Sequence, residues 1–360
     1  MTQTQETTLV ERRQRIMATG MSVHVAVTQE QRAEAERAIA DCLTWLEEVG
    51  RSLTRFDATS DLSRLNQAGG SWFATPELLY TVVEQSVAAA EATDGLFHPG
   101  TLPALEAAGY DRDYDEIAQR EVGRMAEPAP LADWRAIALD PIHRRIRLPE
   151  GMRLDLGGIV KGWAADVALE RFFSKFENVL INAGGDMRAR GGPQPDEAWP
   201  IGVGDPLAQL EGDSAPRHVA VLTLGQGGSA TSGATERWWY AGGVARHHMI
   251  DPRTGQPARV WLNTGKPAPD DADLIATATA FASTTAHAEV AAKVALLRGY
   301  PAALECVGRA WKSDRRRLRP PYSDVGVALL LVMGSGAVHA SAHLESWLEQ
   351  YGGGGNLWLS

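Results

Sequence analysis

Apolar residues alternate at Val23, Val25 and Val27 within Ser22–Thr28, which predicts a strand with one buried face. From Gln31 to Leu53 the spacing becomes helical. Ala35, Ile39, Cys42, Leu43, Leu46, Val49 and Leu53 draw one apolar stripe at i, i+4, i+7 intervals. Thr75-Pro76 predicts the start of a second helix, with Thr as cap and Pro at the first helical position, running to about Thr93. Residues 124–150 read as strand-like segments broken by proline, with Ile146 and Leu148 alternating with Arg145 and Arg147. A third helix opens after Gly157-Gly158 and is expected to continue to about Phe176. Short strands are predicted at Asn178–Asn182, Ile201–Val203, His218–Leu224 and Val327–Val332. A further helix runs over Glu289–Arg298 and stops at Gly299. Residues 1–15 are polar and expected to be loose, 192–216 to be surface loop around one strand, and 346–360 to be a tail. Strands and helices alternate irregularly with no βαβ repeat, so the expected fold class is α+β with largely antiparallel sheets and flanking helices.

Composition adds bounds. With 360 residues, 44% of them hydrophobic, the chain can bury a sizeable core in one large domain or two interlocked ones. A formal net charge of -10 argues against nucleic acid as a partner while leaving room for a small basic pocket. The two cysteines, Cys42 and Cys306, match no metal spacing, and Cys42 falls on the apolar helix stripe, where packing explains it. The N-terminal residues lack an apolar leader core, and the run Val325–Met333 is too short to span a bilayer. The expectation is a cytoplasmic protein with no membrane segment of its own. The eleven tryptophans share no spacing, so packing is their default role.

Three segments carry candidate chemistry. In Asp155-Leu-Gly-Gly-Ile-Val-Lys161-Gly, a glycine pair precedes a helix with Lys161 in its first turn. Free N–H groups at a helix start favour an anion, glycines permit close approach, and the lysine adds positive charge. A nucleotide phosphate and a plain glycine-rich turn with a surface lysine are both open readings. Asn182-Ala-Gly-Gly-Asp186 is read as a tight turn in which Asp186 bonds local backbone. Ala230-Thr-Ser-Gly is followed by His247-His248-Met-Ile250-Asp251-Pro-Arg-Thr-Gly255. His248 can be structural or a base, since its ordinary pKa lies near working pH.

These segments, in this order, resemble those of the ApbE family of flavin transferases. Met17-Ala18-Thr19 is similar to the family's Met-Gly-Thr. Leu53-Thr-Arg-Phe56 with Ser60-Asp-Leu-Ser-Arg-Leu-Asn66 is similar to its Phe-Ser-x-Tyr…Ser-x-Ile-Ser-Arg-x-Asn element. Gly95-Leu-Phe97-His98-Pro99 looks like its Gly-x-Phe-Asp-Pro. The likeness covers roughly residues 16–345. It implies FAD in a cleft between intertwined subdomains. It also implies transfer of FMN from FAD to a Thr or Ser hydroxyl of a target protein, with AMP released and Mg²⁺ assisting. Carried over position by position, Met17, Phe56, Asp155, Lys161 and Ile250 contact FAD, with His98, Pro99 and Gly100 nearby. The Gly158 carbonyl faces the metal, and His248 is the base for the acceptor hydroxyl.

The chain departs from the family pattern in places. The late metal site has Asp and, four residues on, Thr; here Glu289 and Lys293 stand there. A protonated lysine cannot ligate Mg²⁺. Lys293 either replaces part of the metal's charge, which makes it a catalytic candidate, or pairs with Glu289 at i, i+4 spacing, or the site is lost. The family's Asp-Pro-Thr is His98-Pro99-Gly100, and Phe56 replaces a common Tyr, keeping a stacking face without the hydroxyl. Alternatives to transfer are an FAD binder, an FAD pyrophosphatase, or a scaffold without flavin. Self-modification at Ser232-Gly-Ala-Thr235 is set aside, because Ser229 stands where acceptor sequences carry Asp.

Overall fold

The computed structural model describes residues 7–117, 130–208, 217–264, 271–307, 326–351 and 358–359. Much of the strand-like segment expected at 124–150 falls on described residues, as strands Ala138–Asp140 and Arg145–Arg147, while 118–129 lies outside them. Residues 209–216 of the expected loop and the Cys306 side chain also lie outside.

The central element is one eight-stranded antiparallel sheet. Its strands are β1 (Thr8–Ile16), β2 (Thr19–Val27), β3 (Val179–Ala183), β4 (Asp186–Arg190), β5 (Gln226–Gly233), β6 (Ile275–Ala282), β7 (Ala328–Met333) and β8 (Val338–Ala340). Each lies beside its successor, so long insertions hang from a simple up-and-down order. The expected antiparallel α+β class is what is observed.

The N-terminal residues expected to be loose instead form β1 from Thr8, paired along its full length with β2 from Thr8↔Val27 to Ile16↔Thr19. Only Val10 and Ile16 are buried, while Glu11 to Arg15 face water. An edge strand of this kind is held by its backbone and protected by charge, and neither device leaves an apolar alternation. The β1–β2 hairpin turns on Met17 and Ala18, at φ 52° and 56°. A two-residue turn of this hand needs positive φ at both positions, and Ala18 adopts it where glycine would do so without strain.

Helices α1 (Arg32–Leu53), α3 (Val160–Phe172) and α4 (Thr285–Arg298) cover one face of the sheet, and α2 (Glu77–Ala92) packs against α1 in the same core. The stripe predicted on α1 is the buried one, and burial pushes the Cys42 thiol up to about 12. Thr75 does not cap α2: Pro76 takes the cap position, and the Thr75 hydroxyl donates to the Arg144 carbonyl. α3 ends at Phe172 rather than near Phe176, because Phe173 and Phe176 leave the helix yet remain in the same core. α4 starts at Thr285, four residues before the predicted start, with the Thr284 hydroxyl accepting the His287 N–H.

The other face is covered by strands Trp199–Gly204 and His218–Leu224 and by helix Leu344–Tyr351. Leu344, Trp347 and Leu348 pack there against Phe281 and Leu330, and Trp358–Leu359 pairs with the strand at Ala220 and Val221. The segment expected as a tail therefore contributes to the core. Among the described residues, no helix is long and apolar enough to cross a membrane.

α3 and α4 meet unusually closely, and they cap each other. Asp166 on α3 accepts the Thr285 and Ala286 N–H groups at 2.8 and 2.9 Å, while Glu289 on α4 accepts the Gly162 N–H at 2.9 Å. Each carboxylate answers unpaired donors at a helix start, where negative charge is favoured. The approach depends on Gly162: a Cβ there would lie 2.7 Å from the Thr285 and Ala286 backbone. Gly162→Ala is expected to destabilise the protein by about 1–3 kcal/mol through forced separation of the helices. Unfolding in urea measures it, and an unchanged midpoint would mean the helices slide apart freely.

Candidate functional site

The start of α3 brings together segments far apart in the chain. Lys161 Nζ forms an ion pair with Asp186 on β4 and sits 3.4 Å from Glu289 Oε1 on α4. Asp186 is only 2% exposed, so it is a buried charge held by a partner rather than a solvent-facing turn residue. The local-turn reading of Asp186 is thus incomplete, since its carboxylate reaches across to the helix. In the neighbouring turn it is Asn182 Oδ1 that accepts the Gly185 N–H, at 2.8 Å. A Cβ at Gly184 would overlap the Thr19 side chain, which sets the Met17–Ala18 turn beside this one. Met17 itself lies against α1, where a Cβ at Gly50 would come within 3.2 Å of its Cγ.

Asp155 anchors the second half of the cluster. Its Oδ1 accepts the Gly157 N–H at 2.8 Å, and its backbone N–H donates to the Pro99 carbonyl at 2.9 Å. The His98–Gly100 stretch is thereby tied directly to the glycine-pair turn. His98 Nδ1 accepts the Gly100 N–H at 3.0 Å, so the imidazole makes the local bond that an aspartate makes in such a turn. Burial holds the His98 pKa below its ordinary value, which keeps that nitrogen available.

Arg55, which sequence reasoning overlooked, is the other partner of Asp155. Its Nε lies 2.7 Å from Asp155 Oδ2, and its Nη1 donates to the Tyr110 carbonyl at 3.0 Å. The guanidinium packs 4.2 Å from the Phe56 ring centroid and 4.5 Å from that of Tyr110. Its side chain is 6% exposed, and Nη2 is buried without a hydrogen-bond partner. A buried donor without an acceptor is costly, and a bound oxygen would relieve it. The aromatic group continues from Phe56 to Tyr110 and on to Trp239, with centroids 6.1 and 5.3 Å apart. Phe56 is 44% exposed and leaves a face for a planar ligand. Ile250 is buried in the apolar cluster that holds Trp239.

His248 follows the hairpin Trp238–Ala241 and Val244–His247. Its pKa is pushed down to about 3, first by burial, then by His247, Lys293 and Arg237. Lys293 is depressed by burial, with Glu289 and Asp155 pulling the other way and Lys161 adding to the depression. The same ammonium therefore acts on His248, Asp155 and Glu289, which joins the imidazole to the α3 start electrically. The sequence singled out Asp155, Gly158, Lys161, Glu289, Lys293 and His98–Gly100, and the fold gathers them. Beyond those it adds Arg55, Tyr110, Asp186 and Trp239. Of these, Asp186 is visible in the sequence only as a turn residue, and Trp239 only through the aromatic run Trp238-Trp239-Tyr240.

The donor set does not suit a divalent cation. Mg²⁺ demands oxygen ligands in near-octahedral array. Both Glu289 oxygens already face donors, the Gly162 N–H and Lys161, and an ammonium, that of Lys293, occupies the space beside Gly158. Among the described residues no group of three or more His, Cys, Asp or Glu side chains is placed to hold a metal. The Glu289–Lys293 salt bridge suggested by their spacing is not formed either, since Lys293 has no carboxylate within 4.0 Å among the described residues.

The ApbE family model matches residues 17–310. A Treponema pallidum protein named FAD:protein FMN transferase is 29% identical over 267 residues, which span 68% of this chain and 71% of that one. A Klebsiella pneumoniae protein of the same name is 30% identical over 210 residues, 57% of this chain and 62% of its own. The crystal structure of an ApbE protein from Thermotoga maritima has the same fold, with a TM-score of 0.70 at 24% identity, covering 96% of this chain and 99% of that one.

Proposed function

Because the chain belongs to the ApbE family, we propose that it transfers FMN from FAD to a Thr or Ser hydroxyl of a target protein and releases AMP. The observation that carries this reading is the meeting of Arg55, Lys161 and Lys293 with Asp155, Asp186 and Glu289 at one helix start, flanked by an exposed aromatic face. FAD would occupy the cleft between Phe56 and the start of α3. The flavin or adenine ring would stack on Phe56, and the pyrophosphate would take the N–H groups and cations of the helix start.

In this reading the acceptor hydroxyl gives its proton to His248 as its oxygen attacks the FMN-side phosphorus. The bond from that phosphorus to the bridging oxygen breaks, and the bridging oxygen leaves with its electron pair on AMP. Phosphoryl transfer depends mainly on alignment and on neutralising oxygen charge, which is what this chain's cations provide. Arg55 holds Asp155, and its free Nη2 offers one donor to the ligand.

Incubation with FAD and a Thr-containing target peptide tests the reading. The expected products are FMN-modified peptide and AMP in equal amounts. AMP with free FMN and unmodified peptide would identify a pyrophosphatase, and bound FAD with no AMP would identify a binder.

A further inference from the structure

A cradle for an ammonium is built into the α3 start. Gly158 has no side chain, and a Cβ there would overlap Lys293 Nζ and meet the Phe97 ring at 3.5 Å. The Lys293 ammonium lies 5.8 Å from the centroid of that ring, within cation–aromatic range. The other two cations of the cluster are each matched to carboxylates, Arg55 to Asp155 and Lys161 to Asp186 and Glu289. Lys293 alone of the three has its charge offset only at longer range, by Glu289 and Asp155. A cation so placed has electrostatic capacity left for an incoming anion.

We propose that the Lys293 ammonium, seated between Gly158 and Phe97, takes the place of a divalent metal, so that this protein binds and cleaves FAD without Mg²⁺. The proposal rests on the transferase reading above and deepens it. An ammonium delivers one positive charge and up to three N–H donors to phosphate oxygens, where a metal would deliver two charges through oxygen ligation. Glu289 is correspondingly freed from ligation and serves as the cap of α3 and the partner of Lys161.

The experiment compares the 360-residue chain in chelator and in added Mg²⁺, reading FAD affinity by flavin fluorescence, cleavage by AMP release and transfer by FMN on the target peptide. Affinity and rate are expected to be the same in both, and calorimetric titration of Mg²⁺ into the FAD complex is expected to show no binding. Lys293→Met should lose transfer by roughly 10²–10³-fold in chelator and weaken FAD binding. The double variant Glu289→Asp with Lys293→Thr should make FAD binding respond to Mg²⁺, which a merely structural lysine would not predict. A wild-type requirement for Mg²⁺, saturable Mg²⁺ binding, or a fully active Lys293→Met would overturn the proposal and leave the transferase reading intact. Metal-independent cleavage of FAD to AMP and free FMN that Lys293→Met slows, with the target peptide left unmodified, would strike the transferase reading and leave the proposal standing. A protein that binds no FAD in either condition refutes both.

Discussion

His248→Ala is expected to cut FMN transfer by roughly 10²–10⁴-fold while FAD remains bound, the range that removal of a positioned general base commonly gives. Burial and the neighbouring positive groups Lys293 and Arg237 hold His248 down to about 3, so the ring is neutral and can accept a proton throughout the working range. Its weak affinity for that proton in the free protein follows first from burial and then from the same cations. A bound pyrophosphate brings negative charge beside Lys293 and raises the imidazole pKa toward a useful value. The kcat/KM profile, which reports the free protein, should therefore show no protonation of His248 near neutrality, any acid limb should appear only in kcat, and the loss in His248→Ala should appear at every pH where the ring is neutral and the protein folded. Separate measurements of FAD affinity and transfer rate decide the matter. Parallel loss of both would reassign His248 to packing.

The parts of the fold legible in the sequence are those whose side chains report their surroundings one face at a time. β2 and α1 have one wet and one dry face, and Val23, Val25, Val27 and the stripe on α1 mark them. β6 and α4 are buried nearly all round, so their periodicity fades: β6 is not legible at all, and of α4 only Glu289–Arg298, closed by Gly299, is. In β6, Ala278, Ala280 and Ala282 face the helices while Phe281 faces the opposite layer, and small residues on both sides give a run that reads as no element at all. β1 fails for the opposite reason, since its charged side chains are in water and only its backbone is committed. In the site, the glycine-pair helix start is local and can be read directly. The pairing of Lys161 with Asp186, and of the Gly162 N–H with Glu289, joins residues 25 and 127 positions apart and is set by the sheet order. Arg55 had no visible role because its partner, Asp155, lies a hundred residues away in the chain.

Stability is expected to fall steeply as pH drops from 6.5 toward 4, driven by buried histidines. His247 and His287 are each pushed down to about 4, chiefly by burial. At pH 7 both are neutral, folded or unfolded, and their contribution is fully present. Below the ordinary 6.5 the unfolded chain takes up protons that the folded one refuses, so stability declines until the folded pKa is reached. Each histidine then removes about 3 kcal/mol by pH 4, a large share of the roughly 5–15 kcal/mol that holds a typical domain. The geometry around His247 shows why the proton is refused. Its Nε2 bonds the Ala258 carbonyl at 2.9 Å, while Nδ1 accepts the Met249 N–H at 3.2 Å, and a second ring proton would set two donors against each other. Asp166 acts in the opposite sense, because burial raises its pKa and the folded state gains its proton first, which offsets part of the decline. Urea unfolding at a series of pH values reads the slope. His247→Gln, which keeps a donor for Ala258 and cannot titrate, should remove one histidine's share of it. A wild-type midpoint that is flat from pH 6.5 to 4.5 would mean that these rings take up protons in the folded protein as readily as in the unfolded chain.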